Sequence, residues 1–208
     1  MLETQLHFIS AIAIFLAAVV PIYLTLKLKD TLRRLTLILT IFILTHAIFH
    51  VTGLLGFNFL AEGVFEPISV AVLIFFGIAF SGYTKAAKTG MKTMAWIPAT
   101  LFLIIMSNIT IILLLVALGM FVWLVARSKS IRSFQFQMSI FLVVWILGEI
   151  AGSLQDSGII VFTALQGDIG LEIHVVSMVF FSLMLWLRFY YSERSGKKMI
   201  EGLDAALR

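Results

Sequence analysis

The sequence predicts an all-α integral membrane protein built as a seven-transmembrane-helix bundle, and three observations carry that expectation. The 208-residue chain is 61% hydrophobic, where a soluble domain has about 45–50%. Its mean hydropathy is +1.09. Charged residues make up 12% of it, against about 25% in soluble proteins, and they cluster in short segments between long neutral runs, as spans joined by loops require.

A spanning helix needs about 20 apolar residues. The first such run covers residues 6–26 and contains Pro21 as a candidate kink. Met1 to Gln5 lacks the basic stretch of a signal peptide, so the run reads as a retained first helix. Lys27, Lys29, Arg33 and Arg34 form a basic turn before the second span, residues 35–55. The third opens at Pro67, a residue suited to a first helical turn, and ends near Tyr83. A second basic loop follows with Lys85, Lys88 and Lys92.

Residues 91–126 are too many for one ordinary span. A single helix there would put the Lys85–Lys92 and Arg127–Arg132 clusters on opposite sides of the membrane. Splitting it at Ser107-Asn108 gives spans at 93–106 and 109–126 and returns both clusters to one side, as the positive-inside bias prefers. The fourth span is short and contains Pro98, so a re-entrant segment is its alternative. The sixth covers 134–154 and the seventh 170–191, before Arg194, Lys197 and Lys198. Basic segments on one side and acidic or neutral ones on the other fit a multi-pass cell-membrane protein with its N-terminus outside and its C-terminus cytoplasmic. Residues 1–191 then form the transmembrane domain. Residues 192–208 form a short amphipathic tail on the inner membrane surface, with Met199, Ile200, Leu203 and Leu207 on one helical face.

An internal echo suggests a repeat. An offset of 99 places Arg33 on Arg132, His50 on Glu149 and Gly53 on Gly152; at 105, Ser69 falls on His174 and Phe75-Phe76 on Phe180-Phe181. Two parallel three-helix units, residues 6–84 and 109–191, with 93–106 as a linker helix, give a 3+1+3 arrangement. The competing reading is that apolar helices share Phe, Gly and Val without common descent.

The second span carries His46 and His50, which share one helix face at i, i+4. Ionisable groups at such depth face a protein interior, a cavity or a ligand. Each of His50 and Glu149 lies 17 residues beyond an arginine, Arg33 or Arg132, about 25 Å along a helix. His46 and His174 fall at about 20 Å by the same count. His46, His50, Glu149 and His174 are therefore expected to converge on a polar pocket opening outward, with Glu66, Glu172 and Ser177 in secondary positions. Imidazoles with a carboxylate suit a divalent metal such as zinc or copper, and paired histidines suit axial haem ligation. Plain interhelical hydrogen bonding is the bland alternative. The glycines of Gly148-Glu149-Ile150-Ala151-Gly152 read as a close-packing motif.

Several classes fall away. The chain has no cysteine, which removes disulfides, thiolate sites and iron–sulfur clusters. Its pI of about 9.5 comes from loop Lys and Arg that set topology, so no nucleic-acid partner is expected. The seventh span holds no lysine for a retinal Schiff base, and no hydrolase or phosphate-binding motif is present, so no enzyme is expected. The functional expectation is a protein that binds or transports a small solute or metal ion. A receptor-like or accessory subunit signalling through a partner is one alternative, and a haem-binding redox subunit another. The expected partners are the lipid bilayer and either another membrane protein or further copies of the chain.

Overall fold

A computed structural model describes residues 2–83, 109–128, 130–156, 169–196 and 199. The expected linker span at 93–106, the Lys85–Lys92 loop and the tail from residue 200 lie outside the described residues. Within them the chain is helical, with no strand. The long helices are α1 (Leu2–Lys27), α2 (Asp30–Leu54), α3 (Glu66–Tyr83), α4 (Ile109–Ala126), α5 (Phe134–Asp156) and α6 (Ile169–Ser195). A helical turn at Asn58–Leu60 and a π-helical turn at Ala61–Phe65 lead into α3. Six segments among the described residues are long and apolar enough to cross a membrane, which is compatible with a multi-pass membrane protein. Helices α2 and α6 run a turn or so past the apolar stretches, taking in Asp30 to Arg34 and Ser192 to Ser195.

The six helices form a closed ring in which each packs on its neighbours in chain order and α6 returns to α1. Buried positions recur every three or four residues along each: Ile14, Ala17, Pro21 and Leu24 on α1; Leu35, Leu39, Ile43 and Ala47 on α2; Val70, Leu73, Phe76 and Phe80 on α3. The same spacing continues through Leu114, Ala117, Phe121 and Leu124 on α4, Met138, Leu142, Ile146 and Glu149 on α5, and His174, Met178, Phe181 and Leu185 on α6. For helices that stand among lipid tails, burying such faces gains little by the hydrophobic effect. Close packing and hydrogen bonds between helices hold the ring.

Two polar fixings set how α6 sits. Helix α1 continues through Pro21, which has no amide proton, so the Ala17 carbonyl four residues earlier loses its helical donor. Ser182 of α6 supplies one, its hydroxyl donating to the Ala17 carbonyl at 2.5 Å. At the basic end, Arg188 donates to Gln137 Oε1 at 2.8 Å and to the carbonyls of Met199 and Arg132, and lies over the Phe134 ring. That arginine joins α6 to the start of α5 and to the α4–α5 loop. Tyr23 near the end of α1 meets Trp186 and Phe189 edge-on, so Lys27, Arg127, Arg132 and Arg188 gather at one end of the ring.

Ser182→Ala should strand the Ala17 carbonyl inside the bundle. The expected loss is about 1 kcal/mol, within the range of measured interhelical bonds, read by reversible unfolding in detergent. In a Pro21→Ala background the restored amide should remove most of that cost. Equal losses in both backgrounds would disprove the compensation.

Candidate functional site

At the end of the ring away from those cations, three helices bring together four ionisable side chains. His46 and His50 stand on the last turns of α2, Glu149 lies seven residues before the end of α5, and His174 five after the start of α6. The cluster is therefore about 6–12 Å in from the helix ends. His46, His50, His174 and Glu149 are only 0%, 2%, 4% and 7% exposed. The group is packed and closed off, with its members in direct contact.

The three histidines meet through their Nε2 atoms. His50 Nε2 is 3.3 Å from His46 Nε2 and 3.2 Å from His174 Nε2, and one ligand-capable atom from each ring lies within 4.8 Å of the others. Glu149 Oε1 stands 3.1 Å from His46 Nε2 and 3.0 Å from His174 Nδ1. Both are charge contacts by distance; no aligned hydrogen bond to Oε1 accompanies them. A carboxylate beside Nδ1 favours the tautomer with the proton there, which leaves the His174 Nε2 lone pair facing His50.

Packing holds the rings. His46 lies 5.4 Å from Phe49 and 6.2 Å from Phe42 in stacked arrangements, and 5.0 Å from Trp145 edge-on. Phe49 also tilts against His50 at 4.8 Å. His46 Nδ1 and Trp145 Nε1 are buried without hydrogen-bond partners, so aromatic packing, rather than a second hydrogen bond, orients His46. On α6 the Ser177 hydroxyl donates to the His174 carbonyl at 2.7 Å. Toward the nearer helix ends, Ala61 of the π-helical turn is buried against α2, opposite Gly53, one turn beyond His50.

The backbone approach of α5 to α6 makes room for His174. A Cβ at Gly148 would stand 2.9 Å from the His174 amide nitrogen, and one at Gly170 would stand 2.7 Å from the Gly148 carbonyl and 2.5 Å from Gly152 Cα. Real Cβ atoms essentially never come that close to backbone. Gly148, Gly152 and Gly170 thus let the two helices touch where the site lies.

Of the residues singled out from sequence, the structure brings together His46, His50, Glu149 and His174, with Ser177 one turn along from His174. Glu172 is exposed and Glu66 half-buried; neither takes part in the four contacts above. Glu172 precedes His174 by two residues, about 200° around the helix, so its side chain leaves on the opposite face. Trp145, Phe42 and Phe49 were not singled out. Their signal was there: Trp145 is four before Glu149, Phe42 four before His46 and Phe49 three after it, each on the face of its ionisable neighbour.

Comparison of the chain with protein-family models, with curated proteins and with solved structures yields no match, so the chemistry of the site is read from these residues alone.

Proposed function

We propose that this chain is a polytopic membrane protein that binds a metal ion at the His46–His50–Glu149–His174 centre and carries it across the bilayer. The observation that carries the reading is the meeting of three buried imidazoles and a carboxylate from three different helices. Ionisable groups inside a membrane are expensive and mark ion or substrate pathways. Gathering four in one place goes beyond what helix association needs, since a single interhelical hydrogen bond contributes about 0.6 kcal/mol on average.

The orientation belongs to the same proposal: the cationic end of the ring faces the cytoplasm, the N-terminus is outside, and the centre lies in the outer half of the bilayer. So does a seventh span at 93–106 linking two parallel three-helix units. The ring supports that division, because α1–α3 and α4–α6 meet twice, α3 on α4 and α6 on α1. His50 and Glu149, equivalent by the 99-residue offset, then come from the middle helix of each unit.

The test is flux. Purified protein in liposomes loaded with a metal-responsive dye should admit Zn²⁺ or Mn²⁺ faster than protein-free vesicles, and His50→Ala should abolish the difference. Equal entry with and without protein for every ion tried would overturn transport.

A further inference from the structure

The metal-binding reading leaves open which ion is held and by which atoms. Resting on that reading, we infer that the centre takes a zinc-class divalent ion in a three-imidazole shell, the Nε2 atoms of His46, His50 and His174, with Glu149 outside the shell as the carboxylate that positions His174 and offsets the ion's charge.

The spacing is the first argument. At a metal–nitrogen distance of about 2.0–2.1 Å, a tetrahedral ion separates neighbouring ligand nitrogens by about 3.3 Å. His50 Nε2 stands 3.3 and 3.2 Å from its two counterparts. Those match two of the three edges of a tetrahedral face, and one ligand atom from each of the three rings lies within 4.8 Å of the others. The i, i+4 pair on α2 supplies two corners and α6 the third.

Donor chemistry narrows the ion. Calcium and magnesium take six or more oxygens, whereas imidazole suits zinc, copper, nickel and iron. With no cysteine in the chain, thiolate-selective ions have no thiolate to bind. Haem fits poorly: a macrocycle between two axial imidazoles would have to part rings whose nitrogens stand 3.2–3.3 Å apart.

The Glu149 Oε1 atom that stands 3.1 Å from His46 Nε2 also reaches His174, 3.0 Å away, through Nδ1. That nitrogen does not face His50 and is the one an outer carboxylate contacts. This is the carboxylate–histidine–metal arrangement, in which the outer group fixes tautomer and ring orientation and raises ligand basicity. Its charge partly offsets a divalent ion in a site closed to water. Three protein ligands leave a fourth position for an exchangeable group, which suits an ion that has to be released again.

The experiment uses the full chain without a polyhistidine tag, stripped by chelator and titrated with Co²⁺, whose visible absorption is intense in four-coordinate sites and weak in six-coordinate ones. One equivalent should give intense bands that Zn²⁺ abolishes and Ca²⁺ or Mg²⁺ leaves in place. His50→Ala and His174→Ala should lose them while remaining monodisperse. The wild-type spectrum reads the coordination number with no substitution at all. Weak six-coordinate bands, or bands that survive both substitutions, would overturn the shell yet leave metal binding standing. Absence of any Co²⁺ or Zn²⁺ binding would overturn the shell together with the metal-binding reading. Binding with the expected spectrum but no flux in liposomes would sink transport alone and support the shell.

Discussion

Gly170→Ala is expected to destabilise the protein by about 3 kcal/mol, at the upper end of the cost of overpacking, although it adds a single methyl group. The new Cβ would sit 2.7 Å from the Gly148 carbonyl and 2.5 Å from Gly152 Cα. Both are backbone atoms, so no rotamer change relieves the clash and α5 and α6 must move apart. Because Gly148 lies against the His174 backbone, that separation also pulls His174 away from His46 and His50, and metal affinity should fall with stability. Gly119→Ala is the matched control. It lies within α4 with nothing among the described residues within 4 Å of its added Cβ, so the gain in helix propensity should make it neutral or stabilising by up to about 1 kcal/mol. Thermal unfolding in detergent compares the two directly. If Gly170→Ala melts with wild type, the helices do not approach as closely as described.

The six apolar helices of the described residues were legible because two independent signals agreed along the chain. Long neutral runs gave the helices, and the clustered lysines and arginines gave their ends. Helix ends were blurred because a helix can run on past its apolar stretch, as α2 does through Asp30 and Arg33 and α6 through Ser192. The site residues stood out because His46, His50, Glu149 and His174 are ionisable groups within apolar runs, and counting from the arginines placed them at one depth. Depth along a helix says nothing about rotation around it. Which ring nitrogens meet, and why Glu172 leaves the opposite face, depend on how α5 and α6 are turned, and three glycines set that. Gly148 and Gly152 were readable as a close-packing pair. Their counterpart Gly170 was not, since one glycine near the start of a helix carries no pattern of its own.

Glu149→Gln should leave the bundle folded and lower metal affinity 10–100-fold, the usual cost of losing an outer carboxylate. The amide keeps the shape of the side chain, so packing against His46 and His174 survives, while the charge that orients the His174 proton is gone. Direct ligation predicts something different. A carboxylate bound to the ion would take a corner of the coordination sphere with it, and the Co²⁺ bands would change in form as well as in midpoint. The double-mutant cycle separates the two roles. If Glu149 acts through His174, Glu149→Gln should cost much less once His174→Ala has removed the ring it positions, because coupled residues are not additive. An undiminished cost in the His174→Ala background would mean that Glu149 acts through His46, 3.1 Å away, or on the ion itself. Isothermal titration with Zn²⁺ on the four proteins of the cycle measures the coupling, and a coupling near zero would remove Glu149 as the group that positions His174.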